Sequence, residues 1–295
     1  MRWNLTGSSL LGLWHPLTLG ILLAPFLLVM ALRGRGGQKR EGARTWALAL
    51  SFLTLYAALG SPLWDAGRFL FSADMVGEMI VAFLAAPLFL VGCPEDWLRR
   101  VAESRGGGPA VTVLVWPPVA LVVFNGFFSL LHFPGVYDAV LASNVLRVLS
   151  TVVLFGTAVL MWWPVLSPLP ERPALTPPMQ MLYLFVNGLM LLILFALVIF
   201  APAPIYPHYA RAPRLLPGLT AQSDQQLAGV LMKAVTIIGY GLPMLRAFRR
   251  WVQRERMKEA FGLLPTPGEA LPPGAHWSGP PAPLGPRRLF GGMKR

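Results

Sequence analysis

The sequence predicts an all-α polytopic membrane protein: a seven-helix transmembrane bundle with its N-terminus outside and its C-terminus in the cytoplasm. Three observations predict it. Apolar residues make up 55% of the 295 residues and come in long uninterrupted blocks, the pattern that crossing about 30 Å of hydrocarbon demands. Charged residues are 13%, about half the share of a soluble domain and too few to cover a water-facing surface. The basic residues gather in alternate connections between the blocks, which fixes an orientation.

Taken in order, the blocks fall at residues 11–32, 45–60, 74–92, 110–131, 144–163, 180–201 and 225–245. The second is short and extends naturally through Ser61–Trp64, with Pro62 near its end. The fourth contains Pro117 and Pro118, which kink a helix because proline lacks the amide hydrogen and crowds the preceding turn. Residues 1–250 form the membrane domain, and 251–295 a basic, Pro/Gly-rich tail. Within that tail, 264–286 are too rich in Pro and Gly to hold a packed structure. Residues 246–260 read as a flank of the last span or as its amphipathic extension, with Phe248 and Trp251 at the interface.

Orientation follows from the connections. The first carries Arg33, Arg35, Lys39, Arg40 and Arg44; the third, Arg99, Arg100 and Arg105; the fifth, Arg172. The tail opens with Arg246, Arg249, Arg250, Arg254, Arg256 and Lys258. The alternate connections hold Arg68, none, and Arg211 with Arg214. The net charge of +12 is thereby assigned to topology and anionic lipid rather than to nucleic acid. A lone cysteine, Cys93, excludes an intrachain disulfide and a CxxC metal site. No Walker A, Rossmann glycine pattern, HExxH or GxSxG elbow is present, so nothing points to an enzyme.

The polar residues of the spans concentrate at the outer ends. Asp74 and Glu78 lie one helical turn apart at the start of the third span, with Met75 and Met79 on a neighbouring stripe. His132 follows the fourth span, Arg147 opens the fifth, His208 follows the sixth, and Asp224 opens the seventh with Lys233 deeper. Charges at membrane depth face a bundle interior or a cavity. Asp74 and Asp224 also read as N-caps of their own helices, and His132 as a ligand or a loop-packing residue. A shared outer pocket between spans three, five and seven is expected, with Glu78 paired to Arg147 or Lys233 and His132 at its rim.

Four stretches carry a resemblance. They are FSADMVGEMIVAFLAAPLFLVGCP, LHFPGVYDAVL, VLMWWPVLSPLP and PIYPHYARAPRLLPGLTAQSDQQLAGVLMK. Together they resemble the CtaG family of cytochrome c oxidase assembly factors, the caa3-type group, over about residues 10–250. The first is similar to the family's His-Met-x-x-His-Met segment, with Asp74 and Glu78 where the histidines stand. His132 is kept from the family's Trp-His-x-Pro loop, with Leu131 in place of the tryptophan. Asp224, Gln225, Ala228, Gly229 and Met232 keep its last motif.

The resemblance implies an assembly factor in a bacterial inner (plasma) membrane that assists copper delivery or insertion on the outer side. The implied partners are terminal oxidase subunits or another assembly factor, besides membrane lipids. The implied metal residues are His132, Met75 and Met79, with Asp74 and Glu78 at the histidine positions. Carboxylates suit Cu(I) poorly, so any copper is held weakly and in passing. The alternative is a small-solute or ion transporter whose path runs past Glu78 and Lys233, which the intramembrane charges support.

Overall fold

The computed structural model describes residues 14–31, 40–104, 108–167, 169 and 174–262. The basic residues Arg33, Arg35, Lys39, Arg105 and Arg172, and the tail segment 264–286, lie outside the described residues. The chain divides into two units, Met1–Arg249 and Arg250–Arg295.

The described regular structure is helical. In chain order the helices are α1 (Pro16–Ala31), α2 (Arg40–Leu59), α3 (Pro62–Ala66), α4 (Phe71–Gly92), α5 (Glu95–Glu103) and α6 (Gly108–Leu114). There follow α7 (Pro117–Leu131), α8 (Pro134–Ala142), α9 (Asn144–Leu166), α10 (Pro177–Phe200), α11 (Pro207–Arg211) and α12 (Ala221–Gly262).

Among the described residues, five stretches are long and apolar enough to cross a bilayer: Gly42–Ala66, Phe71–Gly92, Asn144–Leu166, Pro177–Phe200 and Ala221–Met257. A sixth is counted if α6 and α7 form one bent span. The protein is therefore an all-α, multi-span membrane protein. The first expected block, 11–32, begins before the described residues, and its described part is the 16-residue apolar α1. The fourth block is broken rather than kinked: α6 and α7 meet at 79°. Pro117 and Pro118 open α7, where a missing amide hydrogen costs nothing, and Trp116 before them is extended. Residues 246–262 continue α12 as helix.

Helix α4 is the central element, packed against α2 on one side and α9 on another. It contains a wide π turn over Val81–Ala85. There the Ala86 amide reaches back to the Val81 carbonyl. The next donor in that register is Pro87, which has no amide hydrogen, so the Ala82 carbonyl loses its partner. The indole of Trp162 on α9 replaces it, donating from Nε1 at 2.9 Å. Ser51 on α2 donates to the Ala85 carbonyl at 2.8 Å. Helix α12 approaches closely at glycines: a Cβ on Gly239 would strike the Phe83 ring, and one on Gly229 the Ile199 side chain.

Similar ties join α9 and α10 around Pro164. Tyr183 donates to the Met161 carbonyl at 2.9 Å, and Gln180 to the Val165 carbonyl at 3.3 Å. Asn125 of α7 donates to Asn187 of α10 at 2.9 Å. Trp162→Phe keeps a ring beside Phe83 and Tyr240 but strands the Ala82 carbonyl, at a cost of about 1–3 kcal/mol. The expected outcome is a lower thermal midpoint for the purified protein; a wild-type midpoint would show that another group serves this carbonyl.

Candidate functional site

The starts of α4, α9 and α12 and the ends of α7 and α10 meet at one end of the bundle, with α8 and α11 in the connections. Helix α12 caps itself: Thr220 Oγ1 accepts from the Ser223 amide at 3.1 Å, and Ser223 Oγ from the Thr220 amide at 2.9 Å. This reciprocal box leaves Asp224 available for another helix. Its fully buried carboxylate accepts from the Phe71 amide at 2.7 Å, the Ser72 amide at 3.2 Å and the Ser72 hydroxyl at 2.5 Å. Those are the first amides of α4, whose own N-cap, Leu70, has no side chain for the task. Asp224 therefore caps α4 and not its own helix, a correction to the expected local cap.

Asp74 likewise is not a cap. It sits in the first turn of α4 and turns sideways to Arg147 of α9, whose Nη2 donates to Oδ1 at 2.5 Å. The Tyr137 hydroxyl of α8 donates to its other oxygen, and Tyr209 of α11 approaches the same oxygen at 3.4 Å. The Arg147 guanidinium lies 3.9 Å from the Trp64 ring centroid, a cation–π contact. A Cβ on Gly67 would strike both Arg147 Nη2 and Asp74, so the absence of a side chain there makes room for the pair. Burial, with the nearby Asp74 charge, pushes the phenols of Tyr137 and Tyr209 well above their ordinary values, so both remain donors.

Arg147 thus takes Asp74, whereas the sequence reading pairs Glu78 with Arg147 or Lys233. Glu78 instead approaches His132, with Oε2 at 3.6 Å from Nε2. That oxygen has no hydrogen-bond partner among the described residues, and neither do Arg147 Nε and Nη1. Lys233 makes no ion pair among the described residues and is half-buried on α12. A cavity of about 20 Å³ is lined by Trp64, Asp74, Gly77, Glu78, Tyr137 and Arg147 among others, from α2–α4, α8 and α9. The expected pocket between spans three, five and seven is thus corrected: α12 contributes Asp224 as a cap and no wall to this cavity. The sequence gives the depth of Lys233 but not its azimuth around the bundle.

His132 ends α7 and is 2% exposed. Its Nδ1 lies 2.8 Å from the Phe128 carbonyl. A carbonyl can only accept, so the proton sits on Nδ1 and Nε2 carries a lone pair. That nitrogen is 3.1 Å from Met75 Sδ. Burial lowers the imidazole to about 4, against the opposing pull of the Phe128 carbonyl, so the ring is neutral near pH 7. Phe128 stacks on it at 4.3 Å, and the Tyr206 hydroxyl donates to its carbonyl at 3.0 Å. His132 also lines a crevice of about 830 Å³ walled chiefly by apolar residues of α10, including Met190 and Leu197, with Phe133 and Pro134 after α7.

Of the five residues singled out in the sequence, His132, Met75 and Glu78 converge. Asp74 is engaged by Arg147, and Met79 lies in the apolar core one turn along α4. His15 binds Asp65 at 2.9 Å and His208 reaches the Arg68 carbonyl at 2.9 Å; both tie connections. Trp64, Tyr137 and Tyr209 are structural partners that sequence reasoning missed. The one available signal was the placement of the two tyrosines within a few residues of His132 and His208. No group of three His, Cys, Asp or Glu side chains suited to a metal occurs among the described residues; a thioether stands in the third place.

The fold and this site define a multi-pass membrane protein with a buried polar cluster at one end of its bundle and no catalytic constellation in view. The chain belongs to the cytochrome c oxidase caa3 assembly factor family (Caa3_CtaG), whose model matches residues 24–254. It is an oxidase assembly factor. No curated protein and no solved structure matches it.

The Asp74–Arg147 pair generates a test. Removing one member strands a buried charge, which costs about 3–5 kcal/mol. Arg147→Met and Asp74→Asn are each expected to lower folded yield sharply, and the double variant to recover part of the loss. Additive losses in the double variant would show that the two side chains act independently.

Proposed function

We propose that this assembly factor carries Cu(I) as cargo, held in passing by His132 Nε2 and Met75 Sδ with Glu78 as a weak third donor. The supporting observation is the 3.1 Å approach of an imidazole lone pair to a thioether sulfur. Two electron-rich atoms face one another there, which a soft cation between them would relieve. Imidazole and thioether are ligands that suit Cu(I). Two soft ligands and one hard, longer-range oxygen hold copper loosely, as a delivery step requires. Asp74 is a support in this reading, and Met79 lies outside the ligand set.

The same proposal includes seven spans, with the N-terminus outside and the tail in the cytoplasm of a bacterial inner membrane. Residues 1–250 are the membrane domain and 251–295 the tail. The basic connections support this orientation, which puts His132 on the outer side. The recipients are a terminal oxidase subunit or a second assembly factor.

Purified protein titrated with Cu(I) under reducing conditions is expected to bind one equivalent. His132→Ala is expected to abolish that binding, and in a deletion strain to leave terminal-oxidase activity unrestored. Binding unchanged in His132→Ala would refute the ligand set. For orientation, reporter fusions at residues 138 and 260 are expected on opposite sides; finding both on one side would overturn the topology.

A further inference from the structure

Two adjacent residues at the start of α12 reach both halves of the site by separate routes. Asp224 takes the first route. Its carboxylate holds the Phe71 and Ser72 amides and the Ser72 hydroxyl. Met75 follows Phe71 by four residues, one helical turn. The register of α4, and with it the height of the Met75 sulfur, is therefore referred to Asp224. The anchor is strong for its size: a carboxylate at a helix N-terminus gains charge-assisted bonds and the favourable end of the helix dipole.

Gln225 takes the second route. It points to the end of α10, where Nε2 donates to the Val198 carbonyl at 3.0 Å. Its Oε1 accepts from the Ile205 amide at 2.8 Å. That amide adjoins Tyr206, which is 1% exposed and whose hydroxyl holds the His132 carbonyl at 3.0 Å. The Tyr206 ring also packs on Phe71 at 4.7 Å between centroids, so the two routes meet. Gln222, one turn earlier, adds a bond from Nε2 to the Ala201 carbonyl at 2.6 Å. Ala228 and Met232 are fully buried further along α12, and the close approach of Gly229 to Ile199 fixes the rotation of the helix.

We infer that Asp224 and Gln225 are positioning residues: together they set Met75 Sδ against His132 Nε2, and so determine whether the pair can share one soft cation. The inference rests on the copper reading above for its function, while the geometry it names can be tested without metal. Neither side chain is within the ligand set; each acts through a backbone segment. Loss of either would leave every ligand present and its spacing wrong.

The test uses the full chain in lipid nanodiscs. Asp224→Asn keeps the shape but turns one acceptor oxygen into a donor facing N–H groups. Without metal, peroxide oxidation of Met75 is expected to rise about tenfold, and the Phe71 and Ser72 amides to lose exchange protection, while buried Met161 stays protected. With Cu(I), affinity is expected to fall about tenfold or more, the range found when partners that orient ligands are removed. The Cu–S contribution to the X-ray absorption spectrum is expected to vanish while Cu–N persists, a change that mere loss of stability would not produce in the folded fraction. Gln225→Met is expected to weaken Cu(I) binding with the Phe71 and Ser72 amides still protected. Should Asp224→Asn fail to fold, Ser72→Ala removes one of the three bonds and is expected to show the same changes in smaller degree. Wild-type protection of Met75 and of both amides in Asp224→Asn, or wild-type Cu(I) affinity in Gln225→Met, would overturn the inference. A wild-type chain that binds no Cu(I) would refute the copper reading, and the oxidation and exchange measurements would still decide this one.

Discussion

Inside a bilayer no water completes a hydrogen bond, so every buried backbone group must find its partner in the protein. Most polar side chains of this bundle answer that constraint. Proline interrupts the amide ladder in α4 and α9, and in each case side chains from neighbouring helices reach the carbonyls nearby. Trp162 and Ser51 serve the π turn of α4, and Tyr183 and Gln180 serve the end of α9. Asp224 does the converse for the amides at the start of α4. These bonds run between helices rather than within them. They fix the register of α4 against α2, α9 and α12 where apolar packing alone would allow sliding, because lipid is as good an apolar neighbour as another helix.

With α4 held in this way, the arrangement of charges follows. Asp74 and Glu78 stand one turn apart on one helix, and a single guanidinium is in reach. Arg147 takes the carboxylate nearer the helix start, where the Tyr137 hydroxyl adds to its stabilisation. Glu78 is left beside a neutral histidine and a sulfur. The contrast between a satisfied carboxylate and an unsatisfied one, a turn apart, separates the supporting part of the cluster from the part open to a ligand.

The membrane class, the family and the residues near the site were legible in the sequence, because they depend on composition, run length and motif. The positions of Pro117 and Pro118 gave a discontinuity, though not that it would be a 79° break, which depends on what α6 and α7 pack against. Depth along a helix was also legible: Glu78, Arg147 and Asp224 do lie near one end. Azimuth was not. Lys233 has the right depth and the wrong face, and Arg147 chose Asp74 over Glu78 by geometry that no spacing rule contains. Asp224, at a helix start, reads equally as an inward-facing charge or as a local cap. Thr220 and Ser223 already fill that role, and a TxxS pattern is a weaker written signal than an aspartate.

The two carboxylates on α4 also bear on how this chain departs from the family pattern it otherwise keeps. Where that pattern has histidine, position 74 carries an aspartate tied to Arg147. An imidazole there could not neutralise the guanidinium, and a buried arginine without a counter-charge is among the costlier arrangements in a membrane. Asp74 and Arg147 are therefore explicable only as a pair, one member on α4 and the other on α9. Position 78 is under no such demand, since among the described residues Glu78 approaches only the neutral imidazole of His132 and no arginine or lysine. Asp74 thus forms an ion pair that braces α4 against α9. In the proposed copper reading, His132 and Met75 supply the soft donors and Glu78 a hard one.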